Sequence, residues 1–353
     1  GPKVEEFERA LCQLTGARYA VAISNGTAAL HAACQAVGIK PGDEVITTPI
    51  TFAASANCVL YCGGTPVFAD INPDTWNIDP EDIERKITKK TKAVIAVDFT
   101  GQAVQLDEIK AICKKYDLIL IEDAAHSIGT KYKGVPVGNI ADLTTFSFHP
   151  VKTITCGEGG AILTNNEEFY KKMLLFRSHG ITRDPNVMTY NPYKGYNEQI
   201  DIGYNYRLTD LQAALGISQL KKIDNFSARR NEIVRQYNEA FDDIPQIVIQ
   251  REIPESETTR HLYIIRIRPD ELRLDRDGIY KAINAENVGL QVHYVPVYFH
   301  PYYQRLGYKK GLCPIAEKLY EEILTIPLYY SLTDEDVKSV IDAVKKIVDY
   351  YKK

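Results

Sequence analysis

The sequence has no run of 18 or more apolar residues, no long basic block, no C-x-x-C pair and no internal repeat. Each absence removes a class of function. Without the apolar run there is no transmembrane helix to expect. The opening GPKVEEFERAL lacks the basic-then-apolar order of a signal peptide, so the chain reads as neither secreted nor membrane-spanning. The 42 Lys+Arg are offset by 46 Asp+Glu, for a net charge of -4, which argues against a nucleic-acid binder. Seven cysteines (12, 34, 58, 62, 113, 156, 313), odd in number and unpaired in spacing, point to reduced thiols in a cytoplasmic protein and away from a structural zinc site. The turn after the first apolar run is SNGTAAL rather than G-x-G-x-x-G, so a Rossmann dinucleotide site is excluded. A small-molecule partner is what remains.

What is present is alternation. At 353 residues and 45% hydrophobic composition the chain outruns one core, and we expect a large domain over 1–225 and a smaller α+β domain over 226–353. Pro2 to Thr15 reads as an amphipathic helix stopped by Gly16. Short apolar or β-branched runs follow at 19–24, 44–48, 65–71, 92–99, 118–123, 143–149 and 161–165, separated by stretches with helix grammar. This predicts an α/β fold with a buried, largely parallel central sheet. Residues 181–207 are rich in Asn, Tyr and Gly and read as a functional loop, and 209–241 as one long or broken helix. Beyond it the pattern predicts strands at 261–267 and 289–295 and helices at 276–285, 314–323 and 334–351.

Three segments at expected strand ends carry chemistry. Ser24-Asn25-Gly26-Thr27 is a glycine turn that offers N–H groups and a hydroxyl to an anion at a helix N-terminus, although such turns also merely cap helices. Ile121-Glu122-Asp123-Ala124-Ala125-His126 places two carboxylates and a histidine at the mouth of the sheet, where charges are costly unless paired. Phe146-Ser147-Phe148-His149-Pro150-Val151-Lys152 ends on a lysine among apolar neighbours; most lysines are surface residues, but a desolvated one can attack an aldehyde. A phosphate cradle, an acid for a ring nitrogen and an imine-forming lysine are together the parts needed to hold pyridoxal 5'-phosphate.

The strings SNGTAALHAA, PGDEVITTPITFAASANCVLY, IEDAAHSIGTKYKG, FSFHPVKTITCGEGGAILTN and GYNYRLTDLQAALGISQL resemble, in order, the motifs of the DegT/StrS-type sugar aminotransferases. The resemblance implies a fold-type-I pyridoxal-phosphate transferase that aminates a keto sugar carried by a nucleotide. It implies Lys152 as the Schiff-base lysine, Asp123 as the pyridinium partner and His126 beside the phenolic oxygen. Gly26, Thr27 and Ser147 would hold the phosphate, and Phe52 would stack on the ring, though a core Phe is the competing role. Asn205 would reach the cofactor of a neighbouring subunit, implying a homodimer with shared sites. Arg177, His179, Arg207, His293, Tyr294 and Tyr298 are candidates for substrate contact. Within the family, FRSHGIT, HLYIIRI and QVHYVPVYFHPYYQ are most similar to the pseudaminic acid branch. That implies a UDP-linked 4-keto-6-deoxy-N-acetylhexosamine aminated at C4 from L-glutamate, with perosamine- and bacillosamine-type synthases as alternatives. Lys152 argues against the family's dehydratases, which carry histidine there, and against regulatory relatives. Two departures stand out: Cys156 replaces a Thr or small residue, and some thirty residues usually precede a Gly-Pro such as Gly1-Pro2.

Overall fold

The computed structural model describes residues 1–190 and 192–353. Helix α1 (Pro2–Thr15) buries Val4, Phe7 and Leu11 and ends where Gly16 adopts φ 80°, a left-handed conformation that costs glycine little. Asn25 caps α2 (Gly26–Val37) by accepting from the Ala28 N–H, and Asp79 caps α4 (Pro80–Lys86) in the same way. Each such cap contributes about 1 kcal/mol. The principal helices of this half are completed by α3 (Ala54–Tyr61), α5 (Leu106–Tyr116) and α6 (Glu167–Arg177).

Seven strands form the central sheet: β1 (Tyr19–Ile23), β2 (Glu44–Thr47), β3 (Thr65–Phe68), β4 (Thr91–Val97), β5 (Ile119–Asp123), β6 (Leu143–Ser147) and β7 (Gly160–Thr164). Their order is β1-β7-β6-β5-β4-β2-β3. The five strands from β3 to β6 are parallel, and β7 runs antiparallel to both β6 and β1. The expected α/β architecture with a mostly parallel sheet is therefore present, with β7 as the reversed strand. Leu120 packs in the core on one face and Ile121 in the core with α2, α3 and α6 on the other. Because side chains alternate, Asp123 shares the face of Ile121 while Glu122 is turned to the opposite one.

The expected helix over 209–241 is broken. α7 (Asp210–Leu220) opens with a capping box between Thr209 and Gln212, and α8 (Ile223–Phe241) begins after Lys222. The 225/226 boundary falls in the first turn of α8, and we propose to divide the domains there. Strands β8 (Ile247–Ile249), β9 (Tyr263–Ile267) and β10 (Ile323–Ile326) make an antiparallel sheet in the order β8-β9-β10. Helices α8, α9 (Arg276–Ala285) and α11 (Asp334–Tyr351) bury Tyr237, Ile279 and Val344 in its core, and α10 (Pro314–Glu322) leads into β10.

Two predicted segments differ. Residues 289–295 form no strand beyond a single bridge from Gln291 to Thr325. His293 and Tyr294 there turn their side chains to Thr325 and His126, and Pro296 has no N–H to extend a ladder. The loop 181–207 contains a two-residue ribbon, Ile181–Thr182 with Glu198–Gln199; Asn191 within it lies outside the described residues. No described helix is long and apolar enough to cross a membrane.

Candidate active site

The carboxyl ends of β5 and β6 and the N-terminus of α2 converge on a cavity of about 760 Å³. At the first turn of α2 the N–H groups of Gly26 and Thr27 have no acceptor among the described residues. A Cβ on Gly26 would lie 2.9 Å from Ser147 Cβ, so glycine is required for β6 to bring that hydroxyl beside the helix end. Two free donors, two hydroxyls and the positive end of the helix dipole form a cradle for a phosphate.

Asp123 is 4% exposed at the end of β5. Its Oδ2 accepts from Ser55 Oγ at 2.7 Å and its Oδ1 from the Ala125 N–H at 3.2 Å. Burial raises its pKa, opposed by those two donors and by the attraction of Lys152. Such a carboxylate is primed for a protonated ring nitrogen. Lys152 lines the same cavity, and desolvation brings its pKa down to about 8, opposed by the attraction of Asp123. An amine so close to neutral pH is a competent nucleophile and proton carrier.

His126 is buried beside them, with Nε2 3.2 Å from the Tyr294 hydroxyl and no partner on Nδ1. Burial, then Lys152 and His293, push its pKa far down, so the ring is neutral. His293 is lowered to about 4, first by burial, and its Nδ1 lies 2.9 Å from Thr325 Oγ1. Phe52 is 63% exposed at the cavity edge, which removes the core role that competed with stacking.

The structure thus gathers Gly26, Thr27, Phe52, Asp123, His126, Ser147, Lys152, His293 and Tyr294 around one cavity. Two expected substrate contacts, Arg177 and Tyr298, lie outside the cavity lining and have partners within the protein. Arg177 Nη1 pairs with Glu8 at 2.6 Å and donates to the Ala22 carbonyl, tying α6 to α1 and β1. Tyr298 is fully buried near Phe68, its hydroxyl donating to Glu317 Oε1 at 2.6 Å. His179, Asn205 and Arg207 lie on exposed chain outside the cavity lining. Sequence reasoning missed Ser55, whose signal was its place three residues after Phe52 in the same string. It also missed His261, whose ring sits 4.6 Å from that of His126.

The model of the DegT/DnrJ/EryC1/StrS aminotransferase family matches residues 1–345. The chain belongs to this family. It is 42% identical over 354 residues to the spore coat polysaccharide biosynthesis protein SpsC of Bacillus subtilis, covering 99% of this chain and 90% of that one. It is 40% identical over 356 residues to UDP-4-amino-4,6-dideoxy-N-acetyl-beta-L-altrosamine transaminase of Campylobacter jejuni, covering 100% and 92%. Among solved structures, Helicobacter pylori PseC, an aminotransferase of pseudaminic acid biosynthesis, superposes with a TM-score of 0.93 at 33% identity, covering 99% and 92%. This member of the DegT/DnrJ/EryC1/StrS family is a sugar aminotransferase with the fold of pyridoxal-phosphate aminotransferases.

Proposed function

We propose that this enzyme holds pyridoxal 5'-phosphate in the cavity around Lys152 and moves an amino group from L-glutamate to C4 of a UDP-linked 4-keto-6-deoxy-N-acetylhexosamine, in a pseudaminic acid-type pathway. The observation that carries the cofactor reading is the convergence of the α2 N-terminus, Asp123 and Lys152 in one cavity. Gly26, Thr27 and Ser147 would hold the phosphate, Asp123 the ring nitrogen, Phe52 a ring face and His126 the phenolic oxygen. When bound, the cofactor supplies an aldehyde and an electron-withdrawing pyridinium ring. Lys152 provides the amine that captures the aldehyde and, once released, carries a proton at Nζ. Asp123 keeps a negative charge at the ring nitrogen. The purified protein should show a visible absorption band that borohydride abolishes; a protein that stays colourless after incubation with pyridoxal phosphate would remove this reading.

The sugar rests on the likeness to the altrosamine transaminase and to PseC. His293 and Tyr294, which line the cavity beside Lys152, are the substrate contacts this geometry favours. The likeness to SpsC favours a second reading, amination of another nucleotide sugar such as a perosamine- or bacillosamine-type substrate. A panel of UDP-, dTDP- and GDP-linked 4-keto-6-deoxy sugars with glutamate, followed by 2-oxoglutarate release, separates them. Clear preference for a sugar without the acetamido group would end the pseudaminic reading and leave the aminotransferase intact.

The enzyme would work in the cytoplasm as a homodimer, with Asn205, and with it His179 and Arg207, serving the neighbouring subunit's site. Exposed apolar side chains support this: Leu211 at 86%, Ile202 at 75% and Val151 at 64%. Heterodimers of a Lys152→Ala subunit with an Asn205→Ala subunit should regain activity that each single variant lacks. Verified heterodimers without rescue would place each site within one chain.

A further inference from the structure

Lys152 stands in the wall of two cavities. The second, of about 640 Å³, lies on its small-domain side and shares Val151, His293 and Tyr294 with the first. Most of its remaining wall comes from α8, the segment leading into β9, and the chain from 325 to 331 within and after the end of β10. None of the described residues lining it is Asp or Glu, although the chain carries more acidic than basic residues. Lys152, Arg230, His261 and His293 line it instead.

Arg230, on α8, is 5% exposed. Its neighbour Arg229 pairs with Glu232 and Asp334, and Arg260 pairs with Glu252, but Arg230 has no carboxylate partner among the described residues. Only its Nη1 is used, donating to the carbonyls of Arg260, His261 and Leu328 at 3.4, 3.2 and 3.1 Å. Nε is buried without an acceptor. His261, 6% exposed, also has a buried Nδ1 without a partner. Burial lowers Arg230 only to about 10, so the guanidinium is charged at neutral pH. A buried cation without a counter-ion is costly unless something negative arrives, and a guanidinium fork fixed on one side by three carbonyls is preorganised to receive it.

We infer that this second cavity is an oxyanion site, in which Arg230, with His261 beside it, binds the anionic group of a substrate and sets the reacting carbon against Lys152. The inference rests on the aminotransferase assignment for the two anions that reach Lys152, the carboxylate of an amino-acid donor and the diphosphate of a sugar nucleotide. The donor carboxylate fits better. It is one bond from the carbon that must meet Lys152, whereas a sugar ring separates the diphosphate from its keto carbon.

The test is calorimetric titration of the cofactor-loaded enzyme and its Arg230→Gln, Arg230→Lys and His261→Leu variants with glutarate, which has no amino group to react, and with UDP. Glutarate should bind the wild type and weaken at least tenfold in Arg230→Gln, less in Arg230→Lys and His261→Leu, with UDP unchanged. Weakened UDP with unchanged glutarate would assign the same site to the diphosphate. Less than a twofold change for both ligands in every folded variant would overturn the site. Should Arg230→Gln fail the circular-dichroism check for folding, Arg230→Lys and His261→Leu decide the matter alone. Because both probes bind without turnover, failure of every keto sugar in the substrate panel would leave this result readable.

Discussion

The depressed pKa of Lys152 makes the cofactor-free protein less stable than it would be without its reactive amine. A fall from 10.5 to about 8 corresponds to roughly 3 kcal/mol of differential interaction, a figure that already includes the attraction of Asp123. The folded pKa lies below the unfolded one, so the charged form is disfavoured by folding. Below pH 8 both states carry the proton and the full penalty stands. Between pH 8 and 10.5 the unfolded chain binds more protons, and stability is regained as pH rises. Lys152→Met keeps an unbranched apolar stem and removes the charge. At pH 7 the cofactor-free variant should exceed the wild type by up to about 3 kcal/mol, several degrees in Tm, and the gap should narrow steadily above pH 8. The assay is thermal unfolding of both proteins, stripped of cofactor, at half-unit steps from pH 7 to 10. Parallel curves with no narrowing would refute the desolvated amine. The same shift sets reactivity: at pH 7.5 roughly a quarter of such a lysine is free amine, against about a thousandth of an ordinary one.

Asp123→Asn should retain the cofactor yet lose most of its turnover, because an amide cannot balance the ring's positive charge; near wild-type kcat would contradict the pairing. Ser55→Ala removes a hydrogen bond to a charged group worth about 1.5–3 kcal/mol, so kcat/KM should fall roughly tenfold to a hundredfold, and a change under twofold would show the bond idle. Arg177→Ala should cost about 3 kcal/mol in thermal or chemical unfolding by stranding Glu8, while KM for the sugar stays within twofold in the folded variant. A selective rise in that KM would return Arg177 to substrate binding. Tyr298→Phe should lower stability by about 1–2 kcal/mol through loss of the Glu317 contact and leave kcat unchanged.

The strand runs and helix caps were legible because their signals are local. Gly16 and Asn25 act within a few residues of where they stand. The direction of β7 was not legible, since a buried strand has the same apolar pattern in either orientation. The failed strand at 289–295 shows the converse, a β-rich composition used to deliver His293 and Tyr294 across the domain junction rather than to fill a ladder. At the site, Asp123 and Lys152 announced themselves by chemistry too costly to bury idly. Arg177 and Tyr298 looked alike in sequence, a polar group on a site-facing segment, but their partners Glu8 and Glu317 are 169 and 19 residues away. Such pairings come from tertiary structure alone. The unpaired state of Arg230 was hidden for the same reason, as its two arginine neighbours in the chain and in space found carboxylates and it did not.

The reversed strand β7 has a consequence for the chain as it leaves the ribosome. Among the described strands β1 pairs with β7 alone, about 140 residues later: Tyr19 pairs with Thr164 and Ile23 with Gly160, and the one further bridge, from Ile23 to Arg207, is later still. Gly160 also lies close against the backbone at Asn25 and Gly26, so the loop that begins α2 is buttressed by a residue made long after it. At 5–20 residues per second, roughly 7 to 30 s of synthesis separate the two. Through that interval β1 in the nascent chain lacks the strand that completes its ladder and presents an unpaired apolar edge, so the turn that begins α2 gains its buttress only after most of the central sheet has been made.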